Sequence, residues 1–405
     1  MRIRSFNALR PVPAKVEQIA ALPYDVVSTE EARQLAAGNP LSLLHITRAE
    51  IAFPPGHNPY SEEVYAQAVK VWDSLKASGS LERESSPCLY LYQQQMGEHR
   101  QQGLVGLCNV DDYREERIKK HEKTRADKEN DRTRLTSAMS ANAGPVFLTY
   151  RDDAGVTQAI ADAQEQRPLY DFVAPDGIRH TAWRVPAPDA VVEAMRKVPC
   201  FYIADGHHRA ASAARVGLER RNANPKHRGD EDYNWFLSVM FPSSTLRILP
   251  YNRLIQHFNG HSASDVLAAL AKVGEIADSG RDTPSKTGEV CFYMEGKWRT
   301  LTFKAQDNLD PVGRLDVSRL QDLVLAPLFG VEDPRTAHHI DFVGGIRGTE
   351  YLKQQVDAGH ATIAFSMYPV SVEELMDIAD AGQIMPPKST WFEPKLRSGL
   401  FLHTF

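Results

Sequence analysis

An apolar run, followed by Asp-Gly and then by an alanine-rich stretch, constrains this chain more than any other feature of its sequence. Residues 200–204 predict a buried strand, Asp205-Gly206 ends it, and residues 210–214 begin a helix of strong helix formers. The turn between them presents free backbone N–H groups at the positive end of a helix dipole, and Gly206 lets a ligand approach the backbone closely. The sequence therefore predicts a strand–turn–helix unit that can bind an anion.

Three side-chain donors follow Gly206 directly: His207, His208 and Arg209. Cations at a helix N-terminus oppose the dipole and cost roughly a few tenths of a kcal/mol unless an anion is bound. We therefore predict that residues 206–209 bind a phosphate or a carboxylate, and that Asp205 serves a metal ion or a hydroxyl group. Because the charge of Arg209 opposes the dipole, its removal should leave folding nearly unchanged. An ordinary turn with a surface histidine pair is the alternative.

Residues 117–134 form a highly charged segment in which both signs are interleaved. Four basic side chains in it follow the helical spacing i, i+4, i+7 and i+11: His121, Arg125, Lys128 and Arg132. This spacing predicts one cationic stripe on a helix, with Glu122 beside it, and such a stripe suits a polyphosphate and its metal. A solvated helix stabilised by ion pairs is the alternative on spacing alone.

A stiff loop precedes the C-terminus. Prolines within residues 384–395 fix an extended conformation that presents Lys388, Ser389, Thr390 and Lys395. The apolar side chains of the last residues predict that the tail packs back onto the protein instead of remaining mobile. We predict an anion clamp for a small substrate here, and a pinned tail without a site is the alternative. A weaker signal is Asp25, which is either a site residue or a turn aspartate.

The order of strand-like and helix-like segments predicts an α/β (mixed α+β) protein with mixed sheets. A length of 405 residues favours two domains, which we place at 1–255 and 256–405, the second being a smaller α/β domain. Residues 29–37 predict a helix with Ser28 as its N-cap and Gly38 as its stop. Residues 62–78 have the pattern of an amphipathic helix, and strands flank a hairpin turn at 96–98. The alternation at residues 43–48 is typical of a strand.

The composition excludes several classes of protein. A net charge of −5 provides no basic field for broad nucleic-acid binding. The four scattered cysteines favour a reducing compartment, and the first ten residues lack the apolar segment of a secretory signal. No stretch is apolar and long enough to predict a membrane span. These observations predict a cytoplasmic protein, and the motifs of common phosphate-binding loops are absent from it.

The chain resembles the domain of unknown function 1015 family over nearly its full length. The resemblance rests on four motifs in order: Leu22–Val27 (LPYDVV), Lys120–Thr124 (KHEKT) with Asp131-Arg132, Asp205–Arg209 (DGHHR) and Met385–Thr390 (MPPKST). The DGHHR element is also similar to that of the ParB-like/sulfiredoxin superfamily, which includes free serine kinases that phosphorylate L-serine with ATP or ADP. The resemblance implies a ParB-like, serine-kinase-like core in which residues 205–209 hold nucleotide phosphates and residues 388–390 bind the amino acid.

The residues and the resemblance together predict a Mg²⁺-dependent phosphotransferase that uses ATP or ADP on a small hydroxyl metabolite, with free L-serine as the best single acceptor. Glu122 is the first choice as general base and Asp25 the second, while Asp205 is the predicted metal ligand. The predicted phosphate-binding residues are Gly206, His207, His208, Arg209, His121 and Arg125. The alternatives are a CTP-binding ParB-like module with a DNA or protein partner, and a nucleotide hydrolase or phosphatase. A homodimer is compatible with each of these functions.

Overall fold

The computed structural model describes all 405 residues, which form two compact units. The first unit comprises residues 1–246 and 394–405, and the second comprises residues 247–393. These units differ from the predicted division at residue 255 in two respects. Strand Tyr251–Ile255 belongs to the second unit because both of its edges pair with strands of that unit, and the C-terminal tail belongs to the first unit.

The strands, in chain order, are β1 Ile3–Arg4, β2 Leu9–Pro11, β3 Leu81–Arg83, β4 Tyr90–Met96, β5 His99–Asn109, β6 Ile118–Lys119, β7 Ala141–Asn142, β8 Val146–Tyr150, β9 Tyr170–Val173, β10 Arg179–Arg184, β11 Phe201–Asp205, β12 Trp235–Pro242, β13 Ile248–Leu249, β14 Tyr251–Ile255, β15 Gly274–Ala277, β16 Glu289–Met294, β17 Lys297–Phe303, β18 Ile340–Gly344, β19 Ile363–Met367, β20 Trp391–Phe392 and β21 His403–Thr404.

The α-helices, in chain order, are α1 Val16–Ile19, α2 Thr29–Ala36, α3 Leu44–Thr47, α4 Glu62–Ala77, α5 Val110–Arg114, α6 Ala126–Met139, α7 Ala154–Ile160, α8 Pro188–Arg196, α9 His207–Ala223, α10 Ala263–Val273, α11 Asp316–Leu320, α12 Ala326–Phe329, α13 Gly348–Asp357 and α14 Val372–Asp380. None of the helices is long and apolar enough to span a bilayer.

The first unit is organised around a nine-stranded mixed sheet. Eight strands follow the order β6-β11-β8-β12-β5-β4-β10-β9, and β1 pairs with the end of β5. The pairs β11–β6 and β12–β8 are parallel, whereas the remaining neighbours are antiparallel. Helix α9 packs on β8 and β12 and also contacts α6. This arrangement confirms the predicted mixed α+β fold and places the start of α9 at one end of β11.

The second unit contains a six-stranded sheet of order β15-β17-β16-β19-β14-β18. Every neighbouring pair in it is antiparallel. Helix α13 packs on β16 and β19, and apolar side chains such as Tyr293, Leu352 and Ala364 form a core between them. Only β16 and β17 form a tight hairpin, whereas the other neighbouring strands are distant in the sequence.

Elements with strong local signals are confirmed. Helix α2 begins with a capping box in which the Ser28 hydroxyl accepts from the Glu31 amide and the Glu31 carboxylate accepts from the Ser28 amide. The amphipathic helix predicted at 62–78 is α4, and the predicted hairpin is β4–β5. The buried strand predicted at 200–204 is β11.

Two predictions on the N-terminal half are wrong. The single helical stripe through His121, Arg125, Lys128 and Arg132 does not exist, because α6 begins only at Ala126. Upstream of it, Ile118 is fully buried as part of β6, which pairs in parallel with β11. The strand predicted at residues 43–48 is the short helix α3, whose Leu44 and Thr47 are buried one helical turn apart.

Candidate functional site

The junction between β11 and α9 is shaped by Gly206. Its φ of 92° is in the left-handed region, and a Cβ at this position would lie 3.0 Å from the guanidinium carbon of Arg209. The backbone conformation therefore favours glycine, and a Cβ here would also crowd the Arg209 side chain. Helix α9 begins at His207, three residues earlier than predicted, so residues 207–209 form its first turn, where backbone amides lack intrahelical acceptors.

The Arg209 guanidinium lies between two carboxylates. Its Nη2 is 3.6 Å from Asp205 Oδ1 and 3.7 Å from Asp25 Oδ2, and its Nη1 donates to the carbonyl of Pro145. Only about one tenth of the Arg209 side chain is exposed, whereas Asp25 is open to solvent on the turn before α2. The structure thus brings Asp25, from the LPYDVV motif, to the DGHHR motif.

Lys395 is the third charged group at this junction. Its Nζ lies 3.3 Å from Asp205 Oδ2, and its side chain is nine-tenths buried. Burial by itself would raise the pKa of Asp205, but the charges of Lys395 and Arg209 hold this pKa well below its ordinary range. Asp205 is consequently a carboxylate, and its Oδ1 also accepts from the Gly206 amide at 2.7 Å.

The sequence placed Lys395 on the stiff loop with Lys388, Ser389 and Thr390, but it did not assign Lys395 to the junction that carries Asp205. The available signal was its position: Lys395 directly follows Pro394 and precedes the apolar tail, whose Leu400, Phe401 and Leu402 are buried in the first unit. A lysine within a segment that packs into the interior needs a charged partner. Its partner Asp205 is distant in sequence, so only the tertiary structure identifies the pair.

His207 and His121 form a buried pair behind the junction. Their rings make an edge contact with centroids 4.6 Å apart, and both residues are almost completely buried. Burial lowers the pKa of His121 to about 4 and that of His207 well below its ordinary value, so both rings are neutral near pH 7. The structure therefore places these two predicted phosphate-binding residues in the interior, where they support the first turn of α9.

These buried histidines predict a loss of stability on mild acidification. Each binds a proton in the unfolded chain below about pH 6.5 but resists it in the folded protein, so the unfolded state takes up more protons. The free energy of unfolding should fall by about 1.4 kcal/mol per pH unit for each such histidine as the pH decreases towards the folded pKa. Chemical denaturation at about pH 7 and about pH 5 measures this change.

Replacing His121 with glutamine should reduce this pH dependence, because it removes one of the two titrating histidines and leaves His207. The Asp205 carboxylate, with its lowered pKa, stabilises the fold above the pKa of an unfolded aspartate and loses this effect only at lower pH. The two groups therefore act in separate pH windows. An unfolding midpoint that is the same at pH 7 and pH 5 would contradict the histidine prediction.

The His208 ring is hydrogen-bonded to the backbone of Arg125. The Arg125 amide donates to His208 Nε2 at 3.0 Å, which attaches the loop before α6 to the first turn of α9. The Arg125 guanidinium is exposed and pairs with Asp127 at 2.9 Å. Glu122 lies half-buried in the same loop. The structure thus brings the second motif next to the DGHHR motif, although by a loop instead of a helical stripe.

Arg132 connects this junction to the helices around it. Its guanidinium carbon is 4.0 Å from the centroid of the Tyr24 ring, and its Nε donates to Asp131 at 2.9 Å. Tyr24, Arg132 and Arg209 line a small cavity of about 50 Å³. Tyr24 was not predicted as a site residue, and its aromatic contact with Arg132 has no signature in the sequence.

The three residues of the predicted substrate clamp belong to the second unit. The Lys388 carbonyl accepts from Arg253 at 3.2 Å, and Lys388 Nζ lies 5.4 Å from the centroid of the Tyr251 ring. The Ser389 hydroxyl donates to the Pro386 carbonyl at 2.6 Å, and Thr390 follows directly. These contacts hold the loop in a defined conformation within its own unit.

The donor set limits how a magnesium ion could be held. No group of three or more His, Cys, Asp or Glu side chains is arranged to bind a metal. Mg²⁺ is, however, often bound by one or two carboxylates together with the phosphates of a substrate. Asp25 and Asp205, which flank Arg209, fit an ion carried by a nucleotide and do not form a protein-only metal site.

Comparison with solved structures finds several proteins with partly similar chain paths. A free serine kinase in complex with AMP has 14% identity and a TM-score of 0.38, over 73% of this chain and 91% of that one. SbnI with a C-terminal truncation, from Staphylococcus aureus, has 11% identity and a TM-score of 0.41, over 74% and 87%. A conserved hypothetical protein from Pyrococcus furiosus has 15% identity and a TM-score of 0.37, over 73% and 94%.

The sequence comparisons identify the family. Comparison with curated proteins found no match. A family model with the description "Protein of unknown function (DUF1015)" matches residues 3–318, which include the whole junction between β11 and α9 and the turn that carries Asp25. Since this match extends over most of the sequence, the chain belongs to the DUF1015 family.

Proposed function

We propose that this protein is a Mg²⁺-dependent phosphotransferase that transfers a phosphoryl group from ATP or ADP to the hydroxyl group of a small metabolite. Free L-serine is the first acceptor to test. The observation that carries the proposal is the position of Arg209, in the first turn of α9 and flanked by the carboxylates of Asp25 and Asp205. Lys395 adds a second buried cation beside Asp205.

This arrangement supplies what phosphoryl transfer requires. The reaction depends mainly on positioning and on neutralising the charge of the phosphates. The free amides at the start of α9 and the Arg209 guanidinium can neutralise that charge in a partly dry site, where such contacts are stronger than in water. Mg²⁺ bound with the nucleotide would supply further charge neutralisation at Asp25 and Asp205.

A carboxylate is needed to accept the proton of the attacking hydroxyl group. The hydroxyl oxygen forms the new P–O bond, the bond to the nucleotide leaving group breaks, and the shortened nucleotide leaves with its electron pair. We assign the base role to Asp25 in preference to Glu122, because Asp25 is solvent-accessible and lies 3.7 Å from the arginine that would contact the phosphoryl group. Glu122 remains the second candidate.

The test is a direct assay of phosphoryl transfer. Purified protein is incubated with ATP or ADP, Mg²⁺ and a panel of hydroxyl metabolites that includes L-serine, and the products are identified by mass spectrometry. We expect a phosphorylated acceptor that depends on both the nucleotide and the metal. Nucleotide binding without any phosphorylated product would reject the phosphotransferase.

The same assay detects a hydrolase. The solvent exposure of Asp25 would allow a water molecule to take the place of the acceptor hydroxyl at this site. Release of inorganic phosphate at an equal rate with and without acceptors would favour this second function. Added acceptors should instead suppress release of inorganic phosphate if the protein is a phosphotransferase.

A further inference from the structure

A second cavity of about 350 Å³ lies in the first unit, apart from the β11–α9 junction. It is bounded by the start of α2, by α3 and the turn after it, by α4 and by α6. Its volume is within the range of small-molecule binding sites. The proposed phosphoryl-transfer chemistry uses none of the polar groups that are particular to this cavity.

Two ion pairs in the wall are satisfied internally. Glu50 Oε1 is 3.2 Å from Arg48 Nη1 and accepts from the Thr29 hydroxyl at 3.2 Å. Asp131 accepts from the Tyr65 hydroxyl at 2.8 Å and from Arg132 Nε at 2.9 Å. Each pair is neutral as a whole, so neither pair adds a net charge to the cavity.

Lys128 is the remaining charge in the wall. The cavity is lined by three basic residues and two acidic ones, which leaves one positive charge in excess. Lys128 Nζ is 2.9 Å from the Tyr60 hydroxyl, which is a neutral partner. An ammonium group and a phenol hydroxyl side by side form a binding site for a carboxylate, because both can donate to its oxygens.

The cavity is also linked to the catalytic junction. Thr47 and Arg132 line both this cavity and the small cavity beside Arg209. Arg132 in turn contacts the ring of Tyr24, the residue before Asp25. The cavity therefore shares part of its wall with the side of the junction that carries Asp25.

We propose that this cavity is the acceptor pocket and that the acceptor is a small hydroxy acid, with its carboxylate held by Lys128 and Tyr60. This inference rests on the proposed phosphotransferase function and specifies its substrate class. It assigns recognition of the carboxylate to the first unit, whereas the sequence motif had predicted this role for Lys388, Ser389 and Thr390 of the second unit.

Binding is measured by calorimetry, separately from turnover. The probes are L-serine, glycerate and glycolate, with ethanolamine and glycerol as hydroxyl compounds that lack a carboxylate. We expect at least one of the acids to bind and the two other compounds not to bind. Lys128→Gln should weaken acid binding by roughly 10- to 100-fold, the usual effect of losing a charge-assisted hydrogen bond.

Two variants serve as controls. Lys70→Gln removes a lysine from the exposed face of α4, outside the cavity, and should leave acid binding unchanged. Lys388→Gln tests the alternative carboxylate site in the second unit and should also have no effect. The pocket is rejected if none of the acids binds, if Lys128→Gln binds like the parent protein, or if Lys388→Gln alone abolishes binding.

Nucleotide titrations keep the two proposals separate. Absence of ATP and ADP binding would overturn the phosphotransferase, while the acid titrations would still decide whether the cavity binds a carboxylate. Conversely, phosphoryl transfer that persists with the same KM for the acceptor in Lys128→Gln would retain the enzyme and reject the pocket.

Discussion

Replacing Asp25 with asparagine is expected to lower the rate of phosphoryl transfer by roughly 10²- to 10⁴-fold, the usual contribution of a positioned general base. The amide cannot accept the proton of the attacking hydroxyl group, although it keeps the size of the side chain. Folding should change little, because Asp25 is solvent-exposed and Arg209 retains Asp205 and the Pro145 carbonyl. Steady-state kinetics and a thermal melt of the same preparation measure both quantities.

Glu122→Gln is the matched variant for this prediction. It makes the same change from carboxylate to amide at the other candidate base, in the loop before α6. If Asp25 is the base, Glu122→Gln should retain most of the activity. A large loss of kcat in Glu122→Gln together with nearly full activity in Asp25→Asn would reverse the assignment.

Arg209→Ala is expected to reduce the rate by roughly 30- to 1000-fold, which corresponds to about 2 to 4 kcal/mol of transition-state stabilisation. The guanidinium is the side chain best placed to contact a phosphate held at the start of α9. Arg209→Lys should recover only part of this loss, because an ammonium group cannot reproduce the planar, two-pronged donor arrangement. The kinetics of both variants against the parent protein test the prediction.

The structure changes the expected effect of this substitution on stability. The sequence predicted nearly unchanged folding, whereas the Arg209 side chain is buried and contacts Asp25, Asp205 and the Pro145 carbonyl. Its removal should therefore destabilise the ligand-free protein by about 1 to 3 kcal/mol. Lys395 still neutralises Asp205, so the fold should survive. A lowered melting temperature with unchanged kcat and unchanged nucleotide affinity would show that Arg209 is only structural.

Elements with local signals follow from the amino-acid sequence alone. The capping box at Ser28 defines the start of α2, and the amphipathic pattern of residues 62–78 defines α4. The apolar run followed by Asp205-Gly206 determines the strand–turn–helix junction, because only glycine readily adopts the conformation that starts α9. These features depend on neighbouring residues, so no knowledge of the tertiary contacts was needed.

Which charged residues come into contact depends on packing between distant parts of the chain. The helical spacing of residues 121–132 was misleading, because pairing of β6 with β11 outweighs the local helical preference and buries Ile118. Lys395 reaches Asp205, and Asp25 reaches Arg209, only because the tail and the N-terminal turn pack against the β11–α9 junction within the first unit. Local sequence patterns carry no information on such pairs, since the attraction between two charges depends on their distance in space and on their burial, and not on their separation along the chain.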